Sequence, residues 1–504
     1  MFDDSMRKPA APLHQIGEFA GPAICVLTAL AAFAVAYHLI GGPLFPNDDA
    51  YIALHNARVL WLGHDPIYRD VPALVGATSG AHLALLMLLE CFFSSDATAL
   101  FVLCALIAAA YMLGLFVMSI NVGCSRVEAM LIALAGLVLA GSLFQLLNGL
   151  DTGLAMAAIA WNIKLLTDRK RTLWLPLLCG MMPFIRPELG LLSIGSIFLV
   201  VRDRGLPIGF KIRAVGLCGL AATPFLIWYW IDTGLPIPST VGAKTYFYAE
   251  RYVVWWLKLA WLTREFALAA LVTFPLFACI MFAPPGAVRT LLLLFIAVFL
   301  CSYFWRFPSA FSHNAGRYLF PLAPPVLFGV ACSLSSLDRQ RRKWTLACIA
   351  ISLLFVPLGI RFEFRDYRDK LAGYRESLVD MVQWMNANLP EDSLVMVHDA
   401  GYVAYAGHFP LVDLAGLKSP AAIEVHKELT YPSAGKLRPE AVAKIAGQFQ
   451  PRYLMVIEEW EERYRFTAGL RAKGWTAQEI YASHAPDGTS ADFIYHLYQL
   501  DPPD

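Results

Sequence analysis

Two adjacent carboxylates, Asp48 and Asp49, stand in the loop Pro46-Asn47-Asp48-Asp49-Ala50-Tyr51, directly after the first long apolar run. Beside a bilayer exit, paired acids are costly unless they accept a proton, hold a cation or meet a cationic group. A carboxylate there could deprotonate an acceptor hydroxyl, or bind a metal that bridges a phosphate. Neighbours in an extended loop point to opposite sides, so one of the two faces a given pocket. The residues that follow, through Arg58, start an amphipathic helix with the acids at its N-terminus, where carboxylates are favoured. The residues barely separate the two acids. Asp48 is preferred as a base and Asp49 as a cap of the helix, and the plainer reading is a solvated acidic turn.

Other groups with chemical potential sit at apolar edges. Lys244 has no acid nearby until Glu250, so it either meets a phosphate or snorkels to the interface. Arg186-Pro187-Glu188 splits one long apolar segment, and its two charges must pair, reach water or hold a ligand. His313 and Arg317 precede an apolar run in Ser312-His313-Asn314-Ala315-Gly316-Arg317-Tyr318. The guanidinium fork suits phosphate because it binds two oxygens at once. Asp151 opens a helix after Asn148-Gly149-Leu150 and could simply cap it. The ten cysteines are scattered without CxxC spacing and read as small buried hydrophobes. Two adjacent carboxylates permit a divalent cation but supply too few ligands to demand one.

The rest of the chain must position these groups. Of 504 residues, 58% are hydrophobic and only 16% charged, against about 25% charged in a soluble domain. Apolar runs predict spanning helices at roughly 20–40, 97–120, 127–147, 151–166, 172–184, 187–201, 212–231, 265–283, 289–304, 317–336 and 344–360. The first reads as an uncleaved helix, since it is long enough to span and Gly41-Gly42-Pro43 is a poor cleavage site. A further run at 79–94 is decided by charge. Basic clusters at 168–171, 202–213 and 339–343 belong inside, with Arg7 and Lys8. If 79–94 crossed the bilayer, all three loops would break that rule. It therefore lies flat in the interface, and about eleven helices span. This parity collects the loops 41–96, 148–151, 186–188, 232–264 and 306–317, and everything after Phe362, on one outer face. A formal net charge of +1 and the lack of a nucleic-acid type of basic patch argue against a polyanion partner.

Composition changes near Phe362, which sets a membrane module at 1–361 and a second domain at 362–504. There, 377–388 and 439–449 are expected helices, and 393–397, 409–414 and 452–457 short buried strands. Together they predict a small α/β domain. It carries no nucleotide-binding glycine fingerprint and no P-loop.

Several segments form an ordered series: Asp48-Asp49-Ala50-Tyr51-Ile52, Asn56-Ala57-Arg58-Val59-Leu60, Gly63-His64-Asp65-Pro66-Ile67-Tyr68, Thr78-Ser79-Gly80-Ala81-His82 and Asn148-Gly149-Leu150-Asp151-Thr152. Ile185-Arg186-Pro187-Glu188, the stretch 234–240 with Ala243-Lys244, and Gly316-Arg317-Tyr318-Leu319-Phe320-Pro321 continue it. Asp399-Ala400-Gly401 and Val412-Asp413-Leu414-Ala415-Gly416-Leu417 close it. The series resembles GT-C glycosyltransferases, polytopic enzymes that use polyprenyl-phosphate sugars, and among them mycobacterial terminal arabinofuranosyltransferases and their bacterial relatives. Gly80 stands where that family usually has proline, and Asp151 where it has glutamate.

The resemblance implies a polytopic α-helical membrane protein, a GT-C module of about eleven spans plus interfacial helices, with a C-terminal periplasmic α/β domain. It implies a bacterial inner membrane, with the active site and that domain facing the periplasm. Asp48 or Asp49 would be the catalytic base of an inverting transfer. The sugar, a pentofuranose in the nearest likeness, would pass from a polyprenyl-phosphate donor to a cell-envelope glycan or lipid. Lys244, Arg317 and Arg186 are then expected to hold the donor phosphate. His313, Tyr318, Asp151, Glu188, His55 and Tyr51 are expected to line the substrate site. No cofactor is demanded, and a divalent cation is left open. The alternative is a transporter or flippase for a lipid-linked sugar, which would favour inverted repeats and midplane charges; the sequence shows neither. A nonenzymatic partner of a glycosylation complex is a third reading.

Overall fold

The computed structural model describes residues 12–139, 141–168, 171–238, 240–264, 276, 278–484 and 493–503. Arg7, Lys8, Arg169, Lys170 and most of the expected span 265–283 lie outside them. The apolar runs become helices: α1 (Pro12–Ile40), α2 (Asp48–Leu62), α3 (Gly80–Glu90), α4 (Asp96–Asn121), α5 (Arg126–Val138) and α6 (Ser142–Leu147). Next come α7 (Thr152–Thr167), α8 (Trp174–Ile185), α9 (Leu189–Arg202), α10 (Ile208–Thr233) and α11 (Thr240–Tyr248). Helices at Ala287–Arg306, Ala323–Leu334 and Arg339–Gly373 follow.

Among the described residues, five helices are long and apolar enough to cross a membrane: Ala20–Ile40, α4, α10, Ala287–Arg306 and the run from Arg339 onward. Ile212, Leu220, Ile231, Leu294 and Leu354 stand exposed on them, as contact with hydrocarbon requires. By contrast α7, α8 and α9 have 16, 12 and 14 residues. At about 1.5 Å per residue they reach roughly 18–24 Å, short of a bilayer core of about 30 Å. Helix length alone therefore does not reach the expected eleven spans. The physical reason is that turns use up apolar residues: Gly141 breaks 127–147 at φ 88°, Arg186 stops α8 in extended conformation, and Phe320–Leu322 is a 3-10 turn. The 11-residue α3 is likewise too short to cross.

Polar contacts sort to two ends of the bundle. At one end Asn121 donates to Asp168, and Arg342 meets Glu128 at 2.8 Å. At the other, the Leu74 N–H donates to Asp232 at 2.7 Å, and the acids of α2 gather with Arg317. The basic loops and the chemically suggestive residues are thus segregated.

The compositional boundary at 361/362 falls inside one continuous helix, Arg339–Gly373. Beyond it lies a five-stranded sheet: β1 (Val395–Val397), β2 (Leu411–Asp413), β3 (Tyr453–Ile457), β4 (Thr476–Ala482) and β5 (Tyr495–Asp501). The order is β2-β1-β3-β5-β4, with β2, β1 and β3 parallel and the β5–β4 side antiparallel. The first three strands stand where the apolar runs predict them. β4 and β5 were not expected, because polar residues such as Gln478, Glu479, His496 and Gln499 dilute their pattern. Strand alternation divides this sheet between two cores. Val395, Val397, Met455, Tyr495 and Leu497 join the core of the membrane module. Met396, Leu454, Val456, Tyr498 and Leu500 join a second core with the helix Arg438–Phe449 and with Phe247 of α11.

Between the two parts lies a fully buried cation. Lys418 donates to Asn56 Oδ1 at 2.8 Å and stands 3.8 Å from Asp65 Oδ2, which meets His55 Nε2 at 3.0 Å. Burial pushes the Lys418 pKa down to about 8. Removing one partner of a buried pair strands the other charge, at a cost of about 3–5 kcal/mol. Lys418→Met is therefore expected to lower the unfolding temperature in detergent and to speed proteolysis after Gly373. An unchanged melting curve would show that this junction carries no weight.

Candidate active site

The chain leaves α1, turns through Gly41 and Gly42, and starts α2 with Asn47 at the N-cap position. Neither acid caps the helix, contrary to the expectation for Asp49, because both carboxylates find partners elsewhere. Asp48 accepts from the Gly401 N–H at 2.8 Å and the Tyr402 N–H at 2.7 Å. Burial and the charge of Asp399 push its pKa up, against the pull of those two donors. Asp49 turns the other way. Its Oδ2 accepts from Arg317 Nη1 at 2.6 Å and from Asn314 Nδ2 at 3.2 Å. Burial alone would raise its pKa, but the charges of Lys244 and Arg317 outweigh burial and hold it well below the usual carboxylate range. Asp49 is a carboxylate kept ionised.

Arg317 is presented by a turn that sequence disfavours. Asn314, Ala315 and Gly316 have φ of 48°, 57° and 72°, a left-handed run that costs about 1–2 kcal/mol at a residue bearing a Cβ. Gln145 holds the turn by donating to the carbonyls of Asn314 and Ala315 at 3.0 and 3.1 Å. The Tyr318 hydroxyl accepts from Arg317 at 3.1 Å and from Lys244 at 3.4 Å. The Tyr318 ring lies 4.9 Å from the Arg317 guanidinium and 4.8 Å from that of Arg186. Arg186 is already paired, to Glu188 at 2.6 Å and Asp151 at 3.7 Å. Arg317 Nε, in contrast, is buried and has no partner among the described residues. Burial and the cations Lys244 and Arg317 push His313 down to about 3, so it is a neutral imidazole beside two fixed charges.

Asp49 and Ile52 line two cavities, of about 70 and 90 Å³. Ser79, His82, Asp151 and Arg317 line the first; Lys244, His313, Asp399 and Trp460 line the second. The second cavity takes its far wall from the sheet. His398 and Asp399 follow β1, Ala415 and Leu417 follow β2, and Trp460 follows β3. Carboxyl ends of parallel strands are where α/β sheets present ligand-facing groups. Asp399 itself is held by the Tyr495 hydroxyl and by His398 at 3.2 Å.

Of the expected site residues, the fold gathers Asp49, Lys244, Arg317, Tyr318 and His313, with Arg186, Asp151 and Glu188 paired behind them. Asp48 lines the second cavity while its oxygens face the C-terminal domain's backbone. His55 is absorbed by Asp65, and Tyr51 stacks on Tyr374 at 5.4 Å, so neither faces Asp49. Asn314, Gln145, His398 and Trp460 were not singled out in the sequence. Asn314 carried a signal, as a residue that tolerates the left-handed region before a glycine. The others are brought in by tertiary contact alone. Among the described residues, no group of three or more His, Cys, Asp or Glu side chains is arranged to hold a metal ion.

A family model described as a domain of unknown function (DUF8728) matches residues 365–498. No curated protein matches the chain. Among solved structures, the chain is similar to ArnT from Cupriavidus metallidurans bound to undecaprenyl phosphate, with TM-score 0.53 and 14% identity, over 94% of this chain and 97% of that one. It is similar to arabinofuranosyltransferase AftD from Mycobacteria, with TM-score 0.51 and 15% identity, over 94% of this chain but only 39% of AftD. The Archaeoglobus fulgidus oligosaccharyltransferase in its apo form matches with TM-score 0.50 and 12% identity, over 96% of this chain and 75% of that one. The fold is that of GT-C glycosyltransferases.

A Cβ on Gly401 would sit 2.2 Å from the Asp48 carbonyl oxygen and 2.8 Å from its Oδ2. Gly401→Ala must push α2 away from the C-terminal domain, an overpacking expected to cost about 1–3 kcal/mol. Thermal denaturation of the purified variant checks this, and a wild-type transition would refute the close docking.

Proposed function

We propose that this chain is an inverting membrane glycosyltransferase. It moves a sugar from a polyprenyl-phosphate donor to a hydroxyl of a cell-envelope glycan or lipid, at the periplasmic face of a bacterial inner membrane. The observation that carries the reading is Asp49: an ionised carboxylate at the meeting of two cavities, beside two cations and an unpartnered Arg317 Nε. ArnT, a structural neighbour, binds undecaprenyl phosphate, and a phosphate of that kind suits Lys244 and Arg317 here. The basic clusters at the far end of the bundle favour a cytoplasmic location for that end, which leaves the site and the C-terminal domain outside.

In this mechanism Arg317 and Lys244 hold the donor phosphate. The acceptor oxygen attacks the anomeric carbon from the face opposite the phosphate, and the carbon–oxygen bond to phosphate breaks. Asp49 takes the acceptor proton, and polyprenyl phosphate leaves with the electron pair. Phosphate draws the two cations away from Asp49, so donor binding itself raises the basicity of the carboxylate. The base is thus assigned to Asp49 rather than to Asp48, the acid that the sequence favours, whose oxygens are occupied by backbone donors. Each cavity holds only a few waters' volume, since one water occupies about 30 Å³ of liquid. Substrate entry therefore requires the walls around Asp49 to separate.

With a labelled polyprenyl-phosphate pentose or hexose and a saccharide acceptor, Asp49→Asn is expected to lower turnover about 10²–10⁴-fold at equal amounts of folded protein. Near-normal turnover would sink the mechanism. The pH profile separates the two acids. A base with a depressed pKa stays ionised as pH falls, so the acidic limb of kcat/KM should lie below the ordinary carboxylate value of about 4. A limb well above that value would point to Asp48, whose pKa is raised.

A further inference from the structure

Tyr51 lies two residues from Asp49 on α2, about 200° round the helix, and opens onto a different and much larger space. That cavity measures about 910 Å³, within the range of about 300–1,000 Å³ typical of ligand sites. Tyr51, Tyr374, Tyr402 and Tyr405 line it. The rings are fixed by one another: Tyr51 stacks on Tyr374 at 5.4 Å, and Tyr402 meets their edges and faces at 5.0 and 5.3 Å. Its polar lining comes from Arg375, Glu376, Asp380, Gln383 and His484, and Leu44, Leu371 and Val379 give it an apolar side. The wall that carries Tyr374 and Glu376 is a π-helical turn, Tyr374–Val379, a widening of the helix that is frequent at functional sites. The Tyr374 hydroxyl is buried without a partner among the described residues.

This lining selects a ligand class. Tyr51 and Tyr374 are buried against each other. Half-buried Tyr402 and Tyr405, the latter with Arg58 4.4 Å from its ring, therefore supply the surface that packs against the C–H faces of sugars. Carboxylates and amides accept hydrogen bonds from hydroxyls. A prenyl chain would strand Glu376, Asp380 and Arg375 against hydrocarbon, at high cost. A phosphate or polyanion would meet two carboxylates, one of them, Asp380, 3.5 Å from His484, beside a single arginine. We infer that the groove binds a saccharide chain of low charge, the stretch of acceptor glycan that trails behind the reacting sugar. Only the identification of that saccharide as acceptor rests on the proposed transfer; the binding itself does not.

The test uses the full chain in lipid nanodiscs with two probes, linear hexasaccharides of arabinofuranose and of mannose, each carrying a photoreactive diazirine. At least one is expected to bind and to crosslink to peptides spanning 374–383 or 402–405. Tyr405→Ala should weaken binding tenfold or more, and Tyr405→Phe should retain it. The double change Glu376→Ala with Gln383→Ala, on exposed side chains, repeats the test without disturbing packed rings. The groove assignment is overturned if neither hexasaccharide binds, if both sets of variants bind as wild type does, or if undecaprenyl phosphate displaces the probe. Saccharide binding without any sugar transfer would overturn the glycosyltransferase reading and leave the groove standing. Transfer to a hexasaccharide with a KM unmoved by Tyr405→Ala would do the reverse.

Discussion

A carboxylate at the edge of a bilayer cannot be left without partners, and this protein satisfies two such groups in opposite directions. Asp48 takes two backbone N–H groups at Gly401 and Tyr402, and that contact ties the start of α2 to the C-terminal domain. With Asp48 committed, the helix turns Asp49 towards Arg317 and Lys244. The site is therefore a consequence of docking. Glycine at 401 is part of the same constraint, because no side chain fits between its backbone and Asp48.

The cations around Asp49 are organised by one aromatic residue. Tyr318 accepts from Lys244 and Arg317 and presents its ring to Arg186 and Arg317. Three positive groups would repel one another in a partly desolvated site. Asp151 and Glu188 neutralise Arg186, and Asp49 neutralises Arg317, which leaves the Nε of Arg317 without a partner among the described residues. The left-handed turn 314–316 stores strain at this point, held by Gln145, in the manner of strained backbone at functional sites.

The C-terminal domain does more than cover the membrane helices. One face of its sheet continues their core, and the residues after β1, β2 and β3 form a wall of the cavity that contains Asp49 and Lys244. Phe247 of α11 inserts into the domain's second core, and Arg438 donates to the carbonyls of Phe247 and Tyr248 at 2.8 and 3.1 Å. Lys244, three residues earlier on the same helix, is placed by that anchorage.

The sequence by itself determined which charged residues interrupt the apolar runs, because a charge among apolar residues is conspicuous wherever it falls. It located the helices, three of the five strands, and the group Asp49, Lys244, Arg317, Tyr318 and His313. It did not separate Asp48 from Asp49, since adjacent identical residues have the same local chemistry and differ only in what lies on each side of α2. Apolar runs overstate helix length, because apolar turns are as hydrophobic as the helices they interrupt. His55 and Tyr51 look available in the sequence, yet His55 is taken up by Asp65, ten residues on, and Tyr51 by Tyr374, more than three hundred residues away. Those pairings, the role of Gln145, and the convergence of the strand ends on the acids were decided by tertiary structure. Such contacts depend on packing between distant segments, and no local pattern encodes them.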